Sequence, residues 1–242
     1  MTDTLERTTL ILVRHGETGW NRIKRIQGQI DIALSPRGER QAALLAARID
    51  AERAAVREPA ADDADGPSAL GRIDAVVSSD LLRAMQTAAP IARAAGVDVL
   101  ADANLRERHY GVFQGHDAAQ IRAHWPQAYA SWKTHDPDFA PEGGESLRAL
   151  YARVVSALGA IASRHPGRTV VCVAHGGVLD CAYRFATSLP LTQPRACLLL
   201  NGSVNRIVWQ AAAGDAGSAR AQVLGWADIA HLAQLVDTRD DE

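Results

Sequence analysis

Two histidines stand where apolar runs end. In "LILVRHGETGWN" (Leu10 to Asn21) a strand-like stretch stops at Arg14-His15-Gly16, and in "VVCVAHGG" (Val170 to Gly177) another stops at His175-Gly176. A lone histidine at a strand end is most often a hydrogen-bonded structural group. Two such endings, one with an arginine beside it, suggest that two imidazoles are delivered to one place. Two further candidates come after other apolar runs: Arg83 in "SSDLLRAMQTA" and Glu107 in "NLRERHYG". Two arginines can grip a tetrahedral oxyanion through forked hydrogen bonds, and helix N-termini add backbone N–H donors. A carboxyl group can protonate a leaving oxygen, and one imidazole remains to attack. This set suits phosphoryl transfer, which needs mainly positioning and charge stabilisation and here calls for no metal.

The elements that must hold these residues alternate between strand and helix. Thr9 to Val13 is a continuous aliphatic and β-branched run, the pattern of a strand covered on both faces. Ser35-Pro36 opens a helix to about Arg53, with Ser35 as N-cap. A strand is expected at Asp74 to Val77, a helix from Leu81 to Ala95 ended by Gly96, and a strand at Val97 to Leu100. Helical patterns cover Asp117 to Lys133 and Ser146 to Arg164. Strand Thr169 to Val173, helix Val178 to Ala186, and strands Ser203 to Trp209 and Ala221 to Trp226 complete the chain. The expectation is an α/β three-layer sandwich, a mostly parallel sheet with helices on both faces. Ligands in such sheets sit beyond the carboxyl ends of the strands, where His15 and His175 fall.

The 242 residues read as one domain, with 47% hydrophobic and 22% charged residues. Two features interrupt it: an exposed loop at about 57–71, rich in Pro, Gly and acids, and a cap insertion at about 115–143. Within the cap, Trp125, Tyr129 and Trp132 lie at helical spacing and read as core packing in preference to a ligand stack. A net charge of -2 argues against nucleic acid or an acidic membrane surface as partner. No stretch has signal-peptide or membrane-spanning character, and Cys172, Cys181 and Cys197 form no CxxC pair, so a cytoplasmic address with reduced thiols is expected. His15-Gly16-Glu17 has the H-x-E spacing of a zinc deaminase but lacks a P-C-x-x-C partner, and a dinuclear metal site would need more carboxylates; no metal or cofactor is expected.

Four motifs in order, Arg14 to Asn21, Ser78 to Ala88, Leu105 to Gly111 and Ala174 to Gly177, resemble those of the histidine phosphatase superfamily, also called the phosphoglycerate mutase-like family. The resemblance implies that His15 is a nucleophile forming a transient phosphohistidine and that Glu107 is the general acid and then base. It implies that Arg14, Arg83 and His175 bind the phosphoryl group, with Asn21, Gln27 and Gly176 beside them. A glycine at Gly16 fits close backbone approach to a phosphate. "ERHYG" resembles the mutase form, in which the positions of Arg108 and Tyr110 help hold a phosphoglycerate. The next segment, "QGHDAAQIRAHWPQ", lacks the lysine and adjacent arginine pair of the mutases, and "PEGGESLRALYARV" resembles the phosphatase branch. The expected substrate is a small phosphorylated metabolite, hydrolysed without a metal. A mutase dependent on a bisphosphoglycerate primer and an inert phosphate-ester binder are the alternatives. Leaving group and oligomeric state, monomer or homodimer, stay open.

Overall fold

The computed structural model describes residues 6–55, 70–212 and 215–235. Its sheet has six strands: β1 (Glu6–Arg14), β2 (Ala75–Ser78), β3 (Val99–Ala101), β4 (Thr169–Ala174), β5 (Val204–Ala212) and β6 (Asp215–Asp228), in the order β3-β2-β4-β1-β5-β6. The first four in that order run parallel, whereas β5 is antiparallel to β1 and β6 to β5. Helices α1 (Gly19–Arg22), α2 (Pro36–Ala55), α3 (Leu82–Ala95), α4 (Ala118–His124), α5 (Pro126–Lys133), α6 (Leu147–Arg164) and α7 (Gly176–Thr187) lie between the strands.

The continuous apolar runs of β1 and β4 are explained by burial on both faces. Leu10, Leu12, Val170 and Cys172 pack with residues of α6 and α7. Their neighbours Ile11, Val13, Val171 and Val173 pack on the opposite face with α2 and α3. Each such side chain, fully removed from water, contributes about 1.5–3 kcal/mol before the entropy cost. This is the three-layer arrangement the alternating pattern implied.

Several boundaries differ from the sequence expectation. The helix over Asp117 to Lys133 is two helices, because Pro126 cannot continue an N–H ladder and Trp125 takes a non-helical conformation before it. The last two strands form a longer antiparallel hairpin than expected. Most of the 57–71 loop lies outside the described residues, but Leu70 is buried beneath α2 and α3 and does not belong to an exposed segment. Ser35 caps α2 as expected, its Oγ accepting the Gly38 N–H at 3.1 Å. Among the described residues no helix is long and apolar enough to cross a membrane.

Candidate active site

Strand register brings the two histidines together. Arg14 of β1 pairs with Ala174 of β4, so the next residue on each strand, His15 and His175, stand side by side with ring centroids 5.1 Å apart. The His15 backbone N–H donates to Ala174 O at 2.9 Å, which extends the ladder by one bond. Neighbouring β2 ends at Ser78, and the Ser79 N–H donates to Val173 O at 2.9 Å, placing Ser79 beside His175. The end of β1 thus supplies Arg14 and His15 to a cleft of about 170 Å³, and the fully buried His175 and Ser79 pack beside His15 without lining it.

His15 is 3% exposed, and its Nδ1 lies 2.7 Å from Gly16 O. A carbonyl only accepts, so Nδ1 carries the proton and Nε2 keeps its lone pair toward the cleft. Burial, and then the charges of Arg14 and Arg83, hold this imidazole well below its ordinary value of 6.5. It is a neutral base poised next to two cations. The Asn201 amide, in the segment before β5, donates to His15 O at 2.9 Å and helps fix the turn.

Gly16 serves a purpose other than the one expected from sequence. A Cβ there would meet Gly38 O at 2.5 Å, so the missing side chain admits the start of α2 rather than a phosphate. His175 is fully buried, its Nε2 2.8 Å from Ser79 Oγ and its Nδ1 without a hydrogen-bond partner. Ser79 Oγ accepts the Leu81 N–H at 3.3 Å, so its own proton can go to His175 Nε2 and leave Nδ1–H as a donor. Burial first, then Arg83, His15 and Arg14, keep this ring neutral as well.

The two arginines are aimed by carbonyls. Arg83, 1% exposed, donates to Ile30 O at 2.9 Å and Gly28 O at 2.7 Å, while its buried Nε has no partner. Burial draws its pKa down to about 10, which still leaves it charged at neutral pH. Arg14 donates to Leu199 O at 2.5 Å and likewise has an unpartnered Nε. Unsatisfied buried guanidinium nitrogens are costly unless an anion completes them.

Glu107 reaches the same cleft from the loop after β3. Its Oε1 accepts the Arg108 N–H at 2.8 Å, and both oxygens take the Gly177 N–H, at 3.1 and 3.0 Å. A Cβ on Gly177 would sit 2.2 Å from Oε1. The second glycine after His175 is therefore what admits the carboxyl group. Gly176, expected beside the phosphate, opens α7 with its would-be Cβ 3.7 Å from Arg14 Nε.

Asn21, Gln27 and Tyr110 line the cleft, Asn21 with its Oδ1 committed to the Thr18 N–H at 3.0 Å and Gln27 with a buried, unpartnered Oε1. Burial, with Glu107 adding to it, pushes the Tyr110 hydroxyl up to about 12, so it remains a donor. Arg108 departs from the expectation. Its Nε donates to Glu145 O at 2.9 Å and its Nη2 to Phe139 O at 2.8 Å, with its guanidinium over the Tyr110 ring. These carbonyls draw it away from the cleft, where it holds the loop before α6.

Sequence reasoning missed Arg25 and misplaced Trp132, both of which line the cleft. Trp132 packs its ring against Phe113 at 5.7 Å yet stays half-buried, so it forms a wall rather than core. The fully buried centre of the aromatic cluster is Phe113. Among the described residues no group of three or more His, Cys, Asp or Glu is placed to hold a metal ion.

A parallel-sheet rim with two neutral imidazoles, two carbonyl-anchored arginines and a backbone-held carboxyl group defines a phosphoryl-handling α/β protein. The chain belongs to the histidine phosphatase superfamily (branch 1), whose profile matches residues 10–57 and 67–218. It is 37% identical to phosphoglycerate mutase-like protein 4 of Arabidopsis thaliana, across 92% of this chain and 86% of that one. It is 36% identical to a metal-independent phosphoserine phosphatase of the same plant, across 95% and 85%. Among solved structures, a mycobacterial glucosyl-3-phosphoglycerate phosphatase superposes with a TM-score of 0.71 at 30% identity, covering 92% of this chain and 98% of that one.

Proposed function

We propose that this protein hydrolyses a small phosphorylated metabolite through a phosphohistidine on His15, with no metal taking part. The observation that carries the reading is His15 itself, held neutral with Nδ1–H on Gly16 O and Nε2 facing a cleft ringed by Arg14, Arg83 and Glu107. Arg14 and Arg83 bind the phosphoryl oxygens, and His175 Nδ1–H donates from the floor. His15 Nε2 forms a bond to phosphorus as the ester P–O bond breaks, and the Glu107 carboxyl gives its proton to the departing alkoxide. The Glu107 carboxylate then takes a proton from water, whose oxygen attacks phosphorus; the P–N bond breaks and phosphate leaves.

The phosphatases among the relatives agree with hydrolysis, while several other relatives bear mutase or mutase-like names. Against a mutase stands Arg108, whose guanidinium is occupied by Glu145 O and Phe139 O and is not free to hold a phosphoglycerate. The 115–143 segment, acting as a cap, offers Trp132 to the cleft and none of the cations a mutase needs to keep a primer. A side-by-side assay tests this reading. One arm tracks phosphate release from a panel of monoesters, the other conversion of 3-phosphoglycerate to 2-phosphoglycerate with a bisphosphoglycerate primer. Release without isomerisation is expected, and isomerisation far faster than release would reverse the assignment. An inert binder would retain ester binding and show no release in the unaltered protein.

A further inference from the structure

The segment "PEGGESLRALYARV" (Pro141 to Val154) does not line the cleft, yet two of its charged side chains meet behind the loop that carries Glu107. Arg153 stands on α6, and Glu145 lies just before the Ser146 cap of that helix. Arg153 Nη2 donates to Glu145 Oε1 at 2.6 Å, and both side chains are mostly buried. The same guanidinium reaches the catalytic loop: Nη1 donates to Asn104 O at 2.7 Å and to Arg106 O at 2.9 Å, and Nη2 to Glu107 O at 3.4 Å. Glu145 takes the other side. Its Oε1 accepts the His109 N–H at 3.0 Å, and its own N–H donates to His109 O at 2.8 Å. One ion pair therefore holds main-chain groups before, at and after Glu107.

The loop depends on such a brace. Residues 107–110 belong to no helix or strand, so no ladder fixes their backbone. The Glu107 carboxyl hangs from the N–H groups of Gly177 and Arg108, the second of which moves with the loop. The brace itself is anchored: Leu150, Val154 and Leu158 of α6 are buried in the core. Gly144 lets the two segments touch, because a Cβ there would meet His109 O at 2.6 Å. A guanidinium suits this task, since its planar fork serves several acceptors at fixed angles where an ammonium is a single point.

We propose that the Glu145–Arg153 ion pair is a clamp that positions Glu107 for proton transfer, with Arg153 as its positioning residue. The proposal rests on the phosphatase reading above. It concerns the step in which the Glu107 carboxyl gives its proton to the leaving oxygen, as the ester P–O bond breaks and the His15 Nε2–P bond forms.

The test compares leaving groups that need a proton with one that does not. An alkoxide departs only with an acid's help, whereas a dinitrophenolate is a weak base and departs unaided. The full-length protein, Arg153→Met, Arg153→Lys and Glu145→Gln are assayed on 3-phosphoglycerate, phosphoserine and glycerol 3-phosphate, and on 2,4-dinitrophenyl phosphate. For each, kcat/KM covers the steps up to departure of the leaving group. Arg153→Met should lower kcat/KM for the alkyl esters by about 10–10²-fold, and for the dinitrophenyl ester by less than about threefold. Glu107 also activates water in the second half of the reaction, so the dinitrophenyl ester should give this variant a burst of dinitrophenolate. Arg153→Lys, with the charge but not the fork, should fall between. Glu145→Gln keeps an acceptor for the His109 N–H and should show a smaller loss of the same selective kind; it carries the test if Arg153→Met does not fold. Equal losses on both kinds of ester, or no loss, would overturn the clamp and leave the phosphatase reading standing. An unaltered protein that cleaves the dinitrophenyl ester alone would overturn the acid role of Glu107 and the clamp with it. Release from none of the four esters would defeat the phosphatase reading itself.

Discussion

The strand-end floor of the cleft and the 115–143 segment beside it are held by different kinds of bond. At the floor, His15 and the buried Ser79 and His175 packed next to it are set by paired strands, and main-chain hydrogen bonds of 2.9 Å fix where the first two begin. The 115–143 segment contributes two short helices and an aromatic cluster in which Trp125, Trp132 and Phe139 lean on Phe113. Backbone pairing within a buried sheet admits one register, because a one-residue slip would reverse every side chain. Ring contacts tolerate substitution and sliding. The floor is therefore suited to chemistry that must not vary, and the aromatic wall to a leaving group that can.

This contrast predicts effects that differ in size and in kind. His15→Ala should lower kcat by about 10⁴-fold or more while ester binding persists, as expected when the nucleophile of a coupled catalytic set is removed. Rapid kinetics together with equilibrium binding of a substrate would separate the two quantities. Gly177→Ala sharpens the point, because it alters no ionisable group. Its Cβ would meet Glu107 Oε1 at 2.2 Å and must displace the carboxyl, so a fall of about 10²-fold in kcat is expected from misplacing the acid. A loss of folding, seen in the thermal transition, in place of a loss of kcat would argue that the clash is relieved elsewhere.

On the other side of the comparison, Trp132→Ala should raise KM by about tenfold, with a size that depends on the leaving group, and should leave phosphoenzyme breakdown unchanged. Equal effects on every ester would break the division between a fixed floor and a variable wall.

Acid should act through the floor. His15 and His175 both titrate below their ordinary 6.5 when folded, so below that pH the unfolded chain binds more protons than the folded one. Their stability contribution is complete above pH 6.5 and declines as the pH falls below it. His231, drawn down to about 4 by burial and Arg48, adds in the same direction outside the cleft. Denaturant midpoints measured from pH 8 to pH 5 should fall in that window, and His175→Gln should flatten the fall. A midpoint indifferent to pH would mean that the imidazoles are solvated.

The floor is legible in the sequence and the wall much less so, for physical reasons. Parallel strands announce themselves as continuous apolar runs, and the residues just beyond each run must appear at one rim. That is how Arg14, His15, Arg83, Glu107 and His175 can be named together. The direction of a side chain is not written in a motif. Arg108 is drawn from the cleft by carbonyls 31 and 37 residues away. Arg25 lies in an aperiodic turn where neither helical nor strand spacing marks a face; its only local signal is the nearby Trp20. Trp132 has helical spacing with Trp125 and Tyr129, but Pro126 divides that stretch, and a short half-buried helix shows an aromatic to the cleft as readily as to the core. Gly16 is legible as a residue that must lack a side chain, yet its neighbour is Gly38, a contact that no local pattern specifies.

The central claim is the covalent step at His15. Rapid quenching of the protein with a ³²P-labelled monoester, then stability tests and peptide mapping, addresses it directly. The account predicts one label per active site during turnover, lost in acid, retained in base and mapped to His15, with no label in His15→Ala. Hydrolysis that proceeds without any trapped label, or a label that persists in His15→Ala, would contradict it.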